Sequence, residues 1–269
     1  MMYKLSASKR CTLFKKIADH VWQEVIAHHS VGVNPSEVGL TKEIITTIRA
    51  NSQNIPNFGV WANPSYNENQ FGGDIDIFVE TTPNSFIWYA LQAKALKLNL
   101  HYEGLYVPNV VNQQWDNLLE LSRNAGCKSM YLLYNGVKTY TYNGTDRCRN
   151  NFAESQFGCS LVNVTDMISQ YNLGRDSFYD FHPDLAQPWR VIVCCKEDRD
   201  GIILYDTSLI RDAVDYYPES VGGAVDSIIK SERRSNVDVN TIDFLSNQVN
   251  RTPYYRVVIR TNQGLANRP

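Results

Sequence analysis

Residues 74 to 95 read DIDIFVETTPNSFIWYALQAKA, and this stretch decides the fold. Its first part, from Asp74 to Glu80, alternates between polar and apolar residues, and its last part, from Phe86 to Ala95, is aromatic and apolar. Both patterns are typical of β-strands. The residues between them, Thr-Thr-Pro-Asn-Ser, have the length of a hairpin loop. The sequence therefore predicts two consecutive strands joined as a hairpin.

Polar side chains of the two predicted strands fall on the same face of this hairpin. Side chains alternate in direction along a strand, so Asp74 and Asp76 share one face, and so do Gln92 and Lys94. If the loop closes symmetrically, Asp76 lies opposite Ala90 and Asp74 lies opposite Gln92. Lys94 then lies one step further along, diagonal to Asp74. We expect a carboxylate, an amide and an ammonium group to converge at one end of the hairpin.

This group of side chains has the chemistry of a metal-dependent hydrolase. Carboxylate oxygens and amide or backbone carbonyl oxygens are hard ligands that suit Mg²⁺. A lysine beside a bound metal ion can orient a water molecule, or accept its proton if the lysine pKa is lowered. Such parts can hydrolyse a phosphodiester. The alternative interpretation is a solvated sheet face on which Asp74 and Lys94 merely pair.

Apolar periodicity and turn residues predict the elements around the hairpin. An N-terminal helix covers about residues 9–29. A second helix begins near Thr41, which suits an N-cap, and has Glu43 in its first turn. A short strand near 58–61 precedes the hairpin, and a helix over 112–125 and a strand over 129–134 follow it. This order of helix, three strands, helix and strand indicates an α/β fold with a mixed sheet.

The C-terminal half gives weaker signals. Residues 161–171 are predicted to form a helix, and residues 189–195, 201–205 and 254–260 are predicted to form strands. Residues 213–230 mix helical signals with a Gly-Gly pair. His182 is expected in a turn among solvated carboxylates. We find no linker in the sequence, so residues 1–269 are expected to form a single domain.

The hairpin resembles a known nuclease superfamily. The run Phe71-Gly72-Gly73-Asp74-Ile75-Asp76, followed by Trp88-Tyr89-Ala90-Leu91-Gln92-Ala93-Lys94, is similar to the active-site hairpin of PD-(D/E)XK nucleases. More narrowly, it resembles an uncharacterised bacterial family with Gly-x-Asp and Gln-Ala-Lys signatures. The resemblance implies a restriction-endonuclease-like core (αβββαβ) over about residues 36–136, with a C-terminal elaboration over 137–269. It also implies a metal-dependent endonuclease that uses Mg²⁺, with Mn²⁺ as a substitute.

The resemblance assigns roles to residues of the hairpin. Asp74 is the expected metal-binding aspartate, and Lys94 is the expected catalytic lysine. Gln92 takes the place usually held by a glutamate, and Gln92 and Ala93 complete the metal site on this strand. Because Gln92 removes one negative charge, an alternative is a catalytically silent member of the fold that binds nucleic acid or a partner protein.

The resemblance also points to residues outside the hairpin. Glu43 matches the helical acid that many members use as a further catalytic and metal-binding residue, with Glu37 as the second choice and Glu68 as the third. Gln113 and Gln114, at the start of the following helix, are expected to contact a phosphate or a base of the substrate.

Composition limits the class of protein. The chain has 269 residues, of which 43% are hydrophobic and 20% are charged, and its formal net charge is −2. These values exclude a disordered chain and argue against a protein that coats DNA generally. The expected partner is nucleic acid, with DNA favoured over RNA, and the sequence leaves a homodimer open. The resemblance suggests bacterial defence or nucleic-acid processing.

Cysteine use and apolar runs indicate a cytoplasmic protein without membrane contact. The sequence shows no apolar run near the length of a membrane span and no signal-peptide pattern. Six cysteines in a chain of this length do not form the disulfide framework of a small secreted domain. Cys194 and Cys195 lie in an apolar run and are expected to be buried as small hydrophobic residues.

Overall fold

A computed structural model describes residues 2–52, 58–62, 74–82, 85–108, 113–125, 127–142, 152–194 and 255–259. Among the sequence predictions, Glu68, the strand at 201–205, the segment 213–230 and Cys195 lie outside the described residues. The described residues contain both helices and strands. They are α1 (Met2–Ser30), α2 (Glu37–Ser52), β1 (Phe58–Ala62), β2 (Ile75–Thr82), β3 (Ser85–Ala95), α3 (Gln114–Ala125), β4 (Lys128–Tyr134), β5 (Cys159–Asn163), α4 (Val164–Asn172), α5 (Phe178–Phe181), β6 (Gln187–Pro188), α6 (Val191–Cys194) and β7 (Tyr255–Ile259), with a 3-10 helix at Glu154–Gly158.

The strands form one mixed sheet in the order β1-β7-β2-β3-β4-β5-β6. β2 and β3 pair antiparallel, whereas β3 with β4 and β2 with β7 pair parallel. The predicted α/β class with a mixed sheet is therefore confirmed, and the predicted order of elements runs from α2 to β4. The last strand, predicted at 254–260, is present as β7 and lies between β1 and β2.

The hairpin register from Ile75 to Glu80 agrees with the sequence prediction, but the predicted five-residue loop is shorter, because Thr82 pairs with Ser85 past a β-bulge. Glu80 pairs with Phe86, Asp76 pairs with Ala90, and Ile75 pairs with Leu91. The hairpin thus presents its polar residues in the order that alternation requires.

Two hydrophobic clusters pack the helices against the two faces of the sheet. One cluster joins apolar residues of α1 and α2 to Ile75, Ile77 and Leu91. The other joins residues of α3, α4 and α5 to Trp88 and Ala90. Within the described part of the chain, no helix has both the length and the apolar character needed to cross a membrane.

The second helix begins four residues earlier than predicted, at Glu37. Its N-cap is Ser36, whose Oγ accepts a hydrogen bond from the Gly39 amide at 3.1 Å. The prediction of Thr41 as N-cap is wrong, because Thr41 lies inside α2. Thr41 is buried, and its Oγ1 lies 2.8 Å from the Tyr134 hydroxyl. The correction moves Glu37 into the first turn of the helix.

Two predictions for the C-terminal half also need correction. The segment 161–171 is the end of strand β5 followed by helix α4, because the chain turns at Asn163. The segment 189–195 contains the short helix α6 and not a strand. Cys194, at the end of α6, forms a disulfide with the buried Cys11 of α1 and is not a free thiol as expected.

His182 lies in a turn, as predicted, but its side chain is buried. Its Nε2 lies 2.7 Å from Ser160 Oγ, its Nδ1 lies 3.0 Å from the Phe178 carbonyl oxygen, and its ring stacks on the Phe178 ring. Asn135 donates a 2.8 Å hydrogen bond to Ser160 Oγ and accepts a 2.6 Å hydrogen bond from the Tyr102 hydroxyl. This buried network ties β4 and β5 to the segment that follows β3.

Candidate functional site

Strand β3 extends beyond the end of its hairpin partner. The first residue of β2, Ile75, pairs with Leu91, whereas β3 continues to Ala95. On its other side β3 remains paired with β4 as far as Ala95. In an antiparallel pair the N–H and C=O groups of one residue point to the same side of the strand. The last residues of β3 therefore present backbone groups toward a side that β2 has already left.

Two carboxylates accept hydrogen bonds from this edge of β3. Asp74 Oδ2 accepts one from the Ala93 amide at 2.8 Å and one from Gln92 Nε2 at 2.7 Å. Glu37 Oε1 accepts one from the Ala95 amide at 3.3 Å. Asp74 and Glu37, both half-buried, thus bind successive amides of a single strand edge. We call this group, made of Glu37, Asp74, Gln92, Ala93 and Lys94, the edge site.

The carbonyl oxygen of Ala93 also points to this edge. The N–H and C=O groups of one strand residue point to the same side, and the Ala93 N–H points to this edge, toward Asp74. Gln92 Nε2 lies 3.4 Å from this oxygen and 2.7 Å from Asp74 Oδ2. The Gln92 amide therefore lies between the two oxygens and orients the Asp74 carboxylate.

Lys94 is buried next to these groups, with 6% of its surface exposed. It shares the face of Gln92 because strand side chains alternate, as the sequence predicted. A Cβ built on Gly104 would lie 3.6 Å from Lys94 Nζ, so the segment after β3 covers the ammonium group. Among the described residues, no ion pair joins Lys94 directly to Asp74. The predicted shared face is present, and direct pairing is not.

The structure places Glu43 elsewhere than the sequence predicted. Glu43 is exposed and its Oε1 lies 2.5 Å from Nε2 of His20 on α1. Glu37 precedes it by six residues, which is a rotation of about 240° around a helix with 3.6 residues per turn. The two glutamates therefore leave α2 in different directions, and Glu37 is the one that reaches β3. Of the two glutamates, the second choice of the sequence prediction therefore contacts β3, and the first choice pairs with α1.

Two tyrosines lie near these carboxylates and were missed by the sequence interpretation. Burial first, and then the charges of Cys159, Asp74 and Glu37, raise the pKa of Tyr134, whose hydroxyl bonds Thr41. Burial and the charge of Asp74 raise the pKa of Tyr255 on β7. Both phenols stay neutral at physiological pH. They therefore add no charge beside the two carboxylates.

The predicted substrate residue Gln113 has a different role. Its Oε1 accepts a 2.8 Å hydrogen bond from the Val107 amide, and its Nε2 donates a 2.8 Å hydrogen bond to the Val107 carbonyl oxygen. Gln113 is buried and holds the backbone ahead of α3, so it is not placed for direct substrate contact. Gln114, the first residue of α3, is partly exposed.

The edge site contains carboxylate, carbonyl and amide oxygens. Glu37 and Asp74 supply two carboxylates, and Ala93 supplies a backbone carbonyl oxygen that points to the same edge. The Gln92 amide could present its oxygen to this edge after a half turn. These are the ligand types that Mg²⁺ prefers. The described residues contain no group of three or more His, Cys, Asp and Glu side chains that could hold a metal ion. A cation here would therefore depend on the Ala93 carbonyl or the Gln92 amide.

The fold and the site define an α/β protein with an acidic sheet edge beside a buried lysine. The chain belongs to the family of unknown function DUF6615, whose profile matches residues 10–266. No curated protein matches the chain, and no solved structure matches it.

Proposed function

We propose that this protein is a metal-dependent nuclease that hydrolyses phosphodiester bonds, with DNA as the favoured substrate. One observation carries the proposal. Asp74 and Glu37 accept hydrogen bonds from the amides of the two β3 residues that flank Lys94, Ala93 and Ala95. Hydrolysis adds water across one P–O bond, so that one product keeps the phosphate and the other gains a hydroxyl group.

The oxygen donors suggest how the site would bind a metal ion. Asp74, Glu37 and the Ala93 carbonyl would hold Mg²⁺, with Mn²⁺ as a substitute. The ion would lower the pKa of a bound water and neutralise charge on the phosphate. The Gln92 amide orients the Asp74 carboxylate through its 2.7 Å hydrogen bond.

Lys94 is the residue that would act on the attacking water. Its ammonium group is held in a buried position between the sheet and Gly104. From there it can donate a hydrogen bond to the water or to a phosphate oxygen.

The arrangement of elements supports a restriction-endonuclease-like core. The order from α2 to β4 is helix, three strands, helix and strand; Asp74 immediately precedes the second strand, and Gln92, Ala93 and Lys94 lie on the third. Glu37, at the start of the first helix of that series, takes the role that the sequence gave to Glu43.

The test is cleavage of supercoiled plasmid and of single-stranded circular DNA with Mg²⁺ or Mn²⁺, and with EDTA as a negative control. We expect metal-dependent cleavage by the wild type and a loss of about 10²- to 10⁴-fold in Lys94→Ala. Lys138→Ala, at an exposed lysine, is the matched control and should keep full activity. Full activity in Lys94→Ala would place the chemistry elsewhere or in a contaminant.

A second candidate is a catalytically silent protein of the same fold that binds nucleic acid or a protein. One observation favours it. Both carboxylates accept backbone hydrogen bonds, and Gln92 donates to Asp74, so the site has internal partners without a metal ion. This candidate predicts no metal-dependent cleavage of any substrate by the wild type, and only small changes in binding for Lys94→Ala.

A further inference from the structure

Three aromatic side chains form a cluster whose exposed member is Tyr106. Tyr106 is 43% exposed, and its ring centroid lies 5.7 Å from that of Trp115 and 6.2 Å from that of Tyr171. Trp115 is buried and lies 5.4 Å from Tyr171. We call these three residues the Tyr106 platform. They come from the segment after β3, from α3 and from α4, so tertiary packing brings them together.

The backbone that carries Tyr106 is held from both sides. The next residue, Val107, makes two hydrogen bonds of 2.8 Å with the Gln113 amide, one through its N–H and one through its carbonyl oxygen. Earlier in the same segment, the buried Tyr102 hydroxyl donates a 2.6 Å hydrogen bond to Asn135. The ring is therefore positioned before any ligand binds, which reduces the entropy lost on binding.

The platform lies close to Lys94. Gly104 precedes Tyr106 by two residues, and a β-carbon added at Gly104 would lie 3.6 Å from Lys94 Nζ. Two residues of extended chain span at most about 7 Å. A nucleotide whose phosphate lies at Lys94 therefore has an exposed aromatic ring near its base or near the base of a neighbouring nucleotide.

We propose that the Tyr106 platform stacks an unpaired nucleobase, so that the substrate of the edge site is single-stranded nucleic acid. This inference rests on the proposed function, because only a phosphodiester bound at the edge site would bring nucleobases close to the Tyr106 platform. In a duplex the bases already stack on each other, and their faces are not open to a protein ring. Base–aromatic stacking tolerates any sequence, since every base has a flat face.

The experiment measures binding in EDTA, where no cleavage is expected, by fluorescence anisotropy of labelled oligonucleotides of equal length. The ligands are single-stranded DNA, single-stranded RNA, an abasic DNA strand and duplex DNA. Tyr106→Ala should weaken binding of a single strand about 5- to 100-fold and change binding of the abasic strand and the duplex less than twofold. Tyr106→Phe keeps the ring and should bind like the wild type.

Two further variants keep the test decisive. Tyr106→Leu keeps an apolar contact with Trp115 but removes the flat ring, so it should lose as much affinity as Tyr106→Ala even if the alanine variant folds poorly. Tyr179→Ala is the matched control, because Tyr179 is 54% exposed and its ring lies 5.4 Å from Phe178. It should bind like the wild type.

The outcomes separate this inference from the proposed function. Ring-dependent binding of single strands without any metal-dependent cleavage would support the platform and reject the nuclease. Cleavage that depends on Lys94, combined with unchanged single-strand affinity in Tyr106→Ala and Tyr106→Leu, would reject the platform and keep the nuclease. Equal losses on the duplex or the abasic strand, equal losses in Tyr179→Ala, or no binding of any oligonucleotide would also overturn the inference.

Discussion

The sharpest test of the edge site compares two glutamates of one helix, Glu37→Gln and Glu43→Gln. Each change removes one negative charge from α2 and keeps the size of the side chain. Glu37 accepts a hydrogen bond from the Ala95 amide, whereas Glu43 is exposed and pairs with His20. Only the first change should therefore affect metal-dependent cleavage.

The expected magnitude follows from the charge that Glu37 contributes. Two unit charges about 4 Å apart attract each other by about 4 kcal/mol at an effective dielectric constant of about 20, and a divalent ion doubles this value. Desolvation of the carboxylate and the ion cancels most of that gain. We expect a remainder of about 1.4 to 2.8 kcal/mol, which corresponds to a ten- to hundredfold loss of metal affinity.

The stability cost of Glu37→Gln should be small. The glutamine oxygen can still accept the hydrogen bond of the Ala95 amide, which is already long at 3.3 Å. We expect less than about 1 kcal/mol in the free energy of unfolding. Glu43→Gln should also cost less than about 1 kcal/mol, because exposed ion pairs contribute little.

The assay is cleavage rate against Mg²⁺ concentration for the wild type and both variants, together with a direct Mn²⁺ titration. The half-saturating Mg²⁺ concentration should rise ten- to hundredfold in Glu37→Gln and stay unchanged in Glu43→Gln. The reasoning is refuted if Glu37→Gln behaves like the wild type, or if Glu43→Gln is the impaired variant. The Mn²⁺ titration reports on the metal site independently of catalysis.

Three further predictions concern other parts of the molecule. Asp74→Asn should stop cleavage in Mg²⁺, and high Mn²⁺ should restore part of the rate, because an amide oxygen is still a ligand; a rate equal to wild type in Mg²⁺ would argue against this metal site. Gly158→Ala should lower the free energy of unfolding in urea by about 1 to 3 kcal/mol, since the added Cβ would overlap the Ala18 carbonyl of α1; an unchanged midpoint would contradict this packing. Burial lowers the pKa of His182 to about 3, below its usual 6.5, so the neutral form stabilises the fold above pH 6.5 and that stability is lost as the pH falls. Thermal unfolding should show a loss of about 2 kcal/mol between pH 7 and pH 5, and a pH slope that is not reduced in His182→Gln would contradict this account.

The sequence by itself determined the hairpin and its register. The alternation of apolar residues gives each strand two faces, and a loop that closes with Glu80 opposite Phe86 sets which residues pair. The structure has this register, although a bulge between Glu80 and Thr82 shortens the predicted loop. Asp74 therefore had to lie beside Gln92, as the 2.7 Å hydrogen bond shows, and Lys94 had to share the face of Gln92. Apolar periodicity likewise predicted α1, α2 and α3, although the start of α2 was four residues late.

Tertiary structure alone decided which other residues reach the site. Glu37 and Glu43 are equivalent in sequence terms, and the choice between them depends on where α2 begins and how it packs on the sheet. Gln113 was expected to contact a substrate. Packing of the segment after β3 instead places its side-chain amide in two hydrogen bonds with the Val107 backbone.

The placement of β7 and the burial of His182 were also beyond the sequence. β7, near the C-terminal end of the chain, lies between β1 and β2 in the sheet. His182 belongs to a buried hydrogen-bond network with Ser160 and Asn135. The apolar period and the spacing of residues in a sequence predict contacts between residues that are near each other in the chain, because local backbone geometry repeats at fixed intervals. Contacts between distant segments depend instead on how whole helices and strands fill the space around the sheet. That packing brings Glu37 to β3 and Tyr106 to Trp115 and Tyr171.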